Sequence, residues 1–337
     1  MSHYHLYAIG NALVDSEYQV SEAQLQAMGV QKRHMTLIDA PRRADLLAGV
    51  HGMHARRTGG GSAANTVVAL AQLGGKGFYS CRVADDELGA FYFQDLLNHG
   101  VATNLSHSRL PAGQTGSCMV MVTPDAERSM STFLGATADL DHSALQAKDI
   151  AKSRVYYMEG YLAASPTGLD AALQGRAIAK AAGVALAATL SDMSMIQFCR
   201  PGLEAMLGGP GDGLDYLFCN EEEAQVWCGT QDLAAVCHQL RVLARVVCLT
   251  RSAKGCIVIE GDTQTEVPAA PVRAVDTNGA GDMFAGAFLY AVTHGHTVAR
   301  AAWLANQAAG MVVSRYGNRL DASEIAQVQT RFAQYLG

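Results

Sequence analysis

The chain has 337 residues, 49% hydrophobic and 17% charged, which leaves room for one large α/β domain with a sizeable core and excludes a disordered chain. Its net charge of −6, from 25 basic and 31 acidic residues with no basic block, argues against nucleic acid and anionic membrane as partners. The eight cysteines form no CxxC pair and several sit inside apolar runs, so they read as core residues of a cytoplasmic protein rather than as a disulfide framework or a zinc site.

Residues 1–6 carry no basic-then-apolar signal, and no uncharged apolar stretch of 18 residues follows, so neither secretion nor membrane spanning is expected. Residues 6–9 read as a first strand. It leads into Gly10-Asn11-Ala12-Leu13-Val14-Asp15 and not into GxGxxG, so the fingerprint of a dinucleotide dehydrogenase is missing. Residues 15–57 mix polar and apolar positions without a clean period, and His51 and His54 within them read as a solvated pair. Gly59-Gly60-Gly61-Ser62-Ala63-Ala64-Asn65 then opens a helix over 63–73 that stops at Gly74-Gly75. Glycines there permit close backbone approach to a ligand, and Asn65 offers a diol both a donor and an acceptor. Gly75-Lys76 lacks the upstream glycine of a P-loop.

Residues 116–133 read as extended, and with 15–57 they suggest a small lid on one edge of the main sheet. Continuous apolar runs at 155–158, 184–190, 216–219, 246–250 and 256–259 predict strands buried on both faces. A helical pattern over 169–181 lies between the first two and ends at Gly183. Alternation of this kind predicts a parallel sheet with helices on both faces. Asn220-Glu221-Glu222-Glu223 has the form of a helix capping box.

Asp276-Thr277-Asn278-Gly279-Ala280-Gly281-Asp282 is the most informative stretch. It is glycine-rich, ends in a carboxylate and runs into an apolar segment over 283–292. Backbone N–H groups at the positive end of a helix favour a phosphate. A carboxylate beside that phosphate can take the proton of an incoming hydroxyl, and an ordinary Asp with a pKa of about 3.9 is the expected base.

Together Gly60-Gly61…Asn65 and the 276–282 stretch resemble the two signatures of the ribokinase-like (PfkB) family of carbohydrate and nucleoside kinases. The second matches D-T-x-G-A-G-D at every fixed position. Gly10-Asn11…Asp15, Thr115-Gly116-Ser117-Cys118, Arg128-Ser129, Leu190-Ser191-Asp192 with Gln197-Phe198, and Asp276-Thr277-Asn278 resemble segments of its adenosine kinase branch. The resemblance implies a three-layer α/β/α sandwich in a single domain over 1–337, with a mainly parallel central sheet and a small β-rich lid from about 14–57 and 103–135. It implies ATP and Mg²⁺, and transfer of the γ-phosphate to the 5′-hydroxyl of a purine nucleoside, adenosine above all.

Within that resemblance Asp282 is the proton acceptor, Gly279, Ala280 and Gly281 form the anion site, and Arg128 brings a charge from the lid. Asn11, Asp15, Gly61, Ser62 and Asn65 would hold the ribose. Leu13, Met130, Thr132 and Leu134 would line the base, with Met35, Thr36 and Tyr161 as further candidates. Asn220, Thr250, Gly255, Gly279, Gly281 and Asn306 would bind the nucleotide, and Asn220 and Glu223 would organise Mg²⁺ through water. Ser252 stands where the family's nucleotide loop has its first glycine. A sugar kinase of the ribokinase or fructokinase type, or an inosine or guanosine kinase, would share the phosphate side. A non-catalytic nucleoside or sugar sensor would have no need of Asp282. Monomer and homodimer both remain open.

Overall fold

The computed structural model describes residues 3–32, 34–106, 108–125, 127–209 and 211–337. Positions 33, 107 and 126, inside the expected lid segments, and position 210 lie outside the described residues. In chain order the strands are β1 (Tyr4–Ile9), β2 (Leu13–Gln19), β3 (Met35–Leu37), β4 (Arg56–Gly60), β5 (Gly77–Ser80), β6 (Ala102–Thr103), β7 (Ser117–Val122), β8 (Arg128–Phe133), β9 (Ser153–Glu159), β10 (Ala185–Thr189), β11 (Leu214–Asn220), β12 (Ala244–Thr250), β13 (Cys256–Glu260) and β14 (Thr263–Val267).

They form two sheets. The larger has the order β14-β13-β12-β11-β10-β9-β1-β5-β6 and is parallel except at β12–β13 and β13–β14. Its central strands β1 and β9 to β13 are largely apolar because both faces are covered, whereas the edge strand β14 is polar and mostly exposed. Along β1, Leu6 and Ala8 feed the core under the helices Ser62–Gln72, Ala280–Thr293 and Val298–Val313, while Tyr7 and Ile9 feed the opposite core under Pro166–Ala181. Each fully buried Leu or Phe in these cores contributes roughly 1.5–3 kcal/mol.

The helices Ser62–Gln72 and Ala280–Thr293 lie against each other at Gly286. A Cβ there would collide with the Thr66 carbonyl and meet Ala69. This close approach brings their two N-termini together, which positions everything that follows.

The smaller sheet has the order β3-β8-β7-β2-β4. Its residues alternate between two faces. Tyr18, Met119 and Met121 pack with Leu25 and Leu46 of the helices Glu22–Ala27 and Ala40–Gly49. Cys118, Val120, Val122 and Met130 form a separate apolar cluster on the opposite face. All eight cysteines are free. No helix among the described residues is long and apolar enough to cross a membrane.

Candidate active site

Asp282 stands in the first turn of the Ala280–Thr293 helix, whose N-cap is Gly279 at φ 74°. No side chain caps this helix; the Ala280 N–H donates to the Thr277 carbonyl at 3.3 Å, and the next N–H groups, of Gly281 and Asp282, have no side-chain cap. A Cβ at Gly279 would collide with Asn318, which fixes glycine at the turn, whereas a Cβ at Gly281 would meet nothing. Gly281 therefore leaves an open approach to the positive end of the helix, the arrangement an anion requires. Asp282 Oδ1 accepts from Ser62 Oγ at 2.6 Å and Oδ2 accepts from Asn65 Nδ2 at 3.1 Å. Desolvation raises the Asp282 pKa to about 6, against the opposing pull of the Ser62 and Asn65 hydrogen bonds and of Arg319. The expectation of an ordinary aspartate is thus corrected: this carboxylate is the stronger base because its surroundings are dry.

Three residues that sequence reasoning missed hold this centre. Glu159, at the end of β9, is fully buried and accepts from the Asn11 N–H at 2.7 Å and the Ala63 N–H at 2.8 Å. It ties the turn after β1 to the start of the Ser62–Gln72 helix, and burial lifts its pKa to about 7. Arg319, in the loop after the Val298–Val313 helix, donates from Nε to Asn65 Oδ1 at 3.2 Å and pairs with Asp95. The strand preceding Glu159 read as plain core, and nothing local marks Arg319 or Asp95.

Asp15 projects from β2 on the same face as Cys118 and Thr58, its partners in β7 and β4. Its pKa is raised to about 6, first by desolvation, with Arg319 and Arg128 opposing and Asp282 adding to the rise. Strand register extends that face into two rows. One runs Leu37, Thr132, Cys118, Asp15, Thr58; the other runs Met35, Met130, Val120, Glu17, Arg56. Leu37 and Met35 are large apolar side chains left 62% and 41% exposed at the sheet edge. Thr36 pairs with Ser131 and so falls on the other face. A cavity of about 510 Å³ adjoins the first row, with Leu37, Thr132 and Leu134 in its wall beside Arg82, Gln114 and Asp139. Asp282 does not line it; the acidic end of the site is defined by the Asp282 hydrogen bonds instead. Leu13 pairs with Gly60 in the adjoining strand. The Asn11 side chain is occupied, accepting from Thr137 Oγ1 at 3.3 Å. Tyr161 lies near Asp192, Asp282, Glu159 and Glu223, and its hydroxyl pKa is raised by burial first and by those carboxylates next.

On the expected nucleotide side the residues separate. Asn220 and Glu223 close a capping box: Asn220 Nδ2 and N–H donate to the two carboxylate oxygens at 2.6 and 3.1 Å, and the Glu223 N–H donates back at 2.8 Å. Burial raises the Glu223 pKa to about 7. Among the described residues no group of three or more His, Cys, Asp or Glu side chains could hold a metal ion directly. Thr250 ends β12 and donates to the Cys219 carbonyl at 3.4 Å. Gly255, at φ 88°, packs where a Cβ would collide with the Val267 carbonyl. Ser252 adopts φ 51°, the left-handed backbone that a glycine takes readily. Asn306 is buried and its Nδ2 donates to the Val267 and Pro268 carbonyls at 3.0 and 3.1 Å, so the amide nitrogen is engaged inside the protein. Arg128 crosses from β8 to pair with Asp276 and with Glu17.

The pfkB family carbohydrate kinase model matches residues 35–325. An adenosine kinase of Schizophyllum commune is 28% identical over 332 residues, covering 88% of this chain and 90% of its own. A ribokinase of Mus musculus is 28% identical, with 68% and 70% covered. The crystal structure of adenosine kinase from Sinorhizobium meliloti superposes with a TM-score of 0.86 at 34% identity, covering 97% of this chain and 99% of that one.

Proposed function

Since the chain belongs to the pfkB family of carbohydrate kinases, we propose that it transfers the γ-phosphate of ATP to the 5′-hydroxyl of a purine nucleoside, with adenosine the foremost substrate. The new bond joins O5′ to the γ-phosphorus, the bond from that phosphorus to the β-phosphate oxygen breaks, ADP leaves, and the hydroxyl proton passes to Asp282. A carboxylate with a pKa near 6 suits a base working close to neutrality. The uncapped helix start at Gly279–Asp282 stabilises charge on the transferring oxygens, and open space at Gly281 supports that role.

Mg²⁺, when bound, neutralises phosphate charge. Asn220 and Glu223 would act on it through water, because their side chains already satisfy one another. Asp15 accepts the ribose hydroxyls, with Gly61, Ser62 and Asn65 beside it. Arg128 leaves Asp276 and Glu17 to meet the phosphoryl group. Asn306 shapes the nucleotide wall through Val267 and Pro268.

The single observation that favours a nucleoside over a sugar is the apolar part of the two rows. Met35, Leu37, Met130, Thr132, Cys118 and Val120 share one face, beside Asp15 and Glu17. A flat base covers such a surface, while a free sugar, ringed by hydroxyls, offers it far less apolar area. Likeness to a ribokinase keeps a sugar acceptor as the second reading. ADP release measured with adenosine, inosine, guanosine, ribose and fructose separates the two: turnover of nucleosides supports the proposal, and turnover of sugars alone overturns it.

A further inference from the structure

The hydrogen bonds behind Asp282 form one continuous line. Asp95 pairs with Arg319; Arg319 Nε donates to Asn65 Oδ1 at 3.2 Å; Asn65 Nδ2 donates to Asp282 Oδ2 at 3.1 Å. The orientation of the Asn65 amide is decided by chemistry. A guanidinium only donates, so the atom facing it must be the amide oxygen. An ionised carboxylate only accepts, so the atom facing Asp282 must be the amide nitrogen. Both ends demand the same rotamer. The line spans four distant segments: Asp95 in the Glu87–Asn98 helix, Arg319 after the Val298–Val313 helix, Asn65 in Ser62–Gln72 and Asp282 in Ala280–Thr293.

We infer that Arg319 is a positioning residue for the base: through Asn65 it aims a donor at Asp282 Oδ2, and its charge holds Asp282 in the ionised form that accepts the proton. The inference rests on the phosphotransferase reading above. Burial makes the charge effective: the Arg319 side chain is 9% exposed, and its Nη2 makes no hydrogen bond. Glycine at position 59 gives the guanidinium its place, since a Cβ there would collide with Asp95 and crowd Nη2. The other groups that act electrostatically with Asp282 are carboxyls and phenols: Asp15 from β2, Glu159 and Tyr157 from β9, Tyr161 after it, and Glu223 from the Glu221–Cys228 helix. Ionised carboxylates among them oppose the ionisation of Asp282, and Arg319 favours it.

The test is the pH profile of kcat for ADP release at saturating adenosine and ATP, with Arg319→Met, Arg319→Lys and Asp95→Asn beside the unaltered enzyme. Urea unfolding midpoints first establish that each variant is folded at the assay temperature. Losing the cation moves the acid limb of Arg319→Met up by about one pH unit. Its kcat then falls about fivefold to tenfold near pH 5.5 and recovers towards pH 8. Arg319→Lys restores most of the limb, and Asp95→Asn leaves it in place or moves it down, because a competing carboxylate is gone. An unchanged limb in folded Arg319→Met, or a loss of kcat equal at every pH, overturns the inference while leaving the kinase reading intact. Absence of turnover in the unaltered enzyme with every acceptor overturns the reading itself.

Discussion

Ser62 Oγ donates to Asp282 Oδ1 across 2.6 Å, joining two glycine-rich stretches that lie 220 positions apart in the chain. That contact exists because Gly286 lets two helices approach closely enough to bring their N-termini together. The carboxylate is thereby held between two donors, beside an uncapped helix start, and dried enough to raise its pKa to about 6.

Replacing Asp282 with Asn keeps the shape and removes the base. We expect kcat to fall about 10²- to 10⁴-fold. Adenosine affinity, measured by calorimetry, should change less than about tenfold. Turnover close to that of the unaltered enzyme would assign the proton to another group.

Gly281 and Gly279 should respond differently to alanine. Gly281→Ala puts a methyl into open space, so the unfolding midpoint should hold while kcat/KM for ATP drops at least about tenfold, through obstruction of the anion site. Gly279→Ala forces a left-handed alanine against Asn318 and should destabilise the fold by about 1–3 kcal/mol. Equal thermal shifts in the two variants would contradict this division.

Leu37→Ala removes an exposed apolar side chain from the proposed base face. The KM for adenosine should rise about fivefold to thirtyfold, corresponding to roughly 1–2 kcal/mol of lost contact. Stability should be nearly unchanged, since the residue packs against little. A KM unaffected by the change would place the base elsewhere.

The parts of the site that could be read from the sequence are those whose chemistry is local. Gly279, Gly281 and Asp282 announce themselves because turn, helix start and carboxylate are consecutive. The five buried runs of the central sheet are legible because burial on both faces leaves them uniformly apolar. Leu13–Gln19 is harder, because Asp15 and Glu17 occupy alternate positions on the face that looks away from the helices, so its alternation resembles irregular chain. Arg319 acts on Asn65 across 254 positions and Glu159 on Asn11 across 148, and no sequence pattern signals partners so distant. Asn306 sits on a readable helix, yet whether its amide faces a ligand or the Val267 carbonyl depends on where β14 ends. Ser252 breaks the glycine pattern in letters only, since its backbone keeps the left-handed form.

That last residue invites a direct change. Ser252→Gly relieves a strained φ of 51° and should raise stability by about 0.5–1 kcal/mol in urea unfolding, with turnover retained. Ser191, also left-handed at φ 69°, makes a useful contrast, because its Oγ accepts from the Gly160 N–H at 2.8 Å. Ser191→Gly loses that bond and should show no gain. A stabilised Ser191→Gly would mean that the hydrogen bond contributes little.

Glu159 links stability to pH. Its folded pKa of about 7 lies above the ordinary carboxyl value, so the native state keeps a proton that the unfolded chain releases. Its contribution is fully present below about pH 4 and is lost as pH rises through 7. Glu159→Gln cannot lose a proton, so its stability should fall less between pH 5 and 8 than that of the unaltered protein, by about 1–3 kcal/mol. Gln also leaves one of the Asn11 and Ala63 N–H groups without an acceptor, which lowers stability at every pH. Parallel pH curves for the two proteins would contradict the buried-proton account.

A crystal structure with adenosine and a non-hydrolysable ATP analogue tests the central claim most directly. The γ-phosphate should sit on the N–H groups of Gly281 and Asp282, with O5′ within hydrogen-bond distance of the Asp282 carboxylate. A γ-phosphate bound away from that helix start, or an O5′ directed at a group other than Asp282, would contradict it.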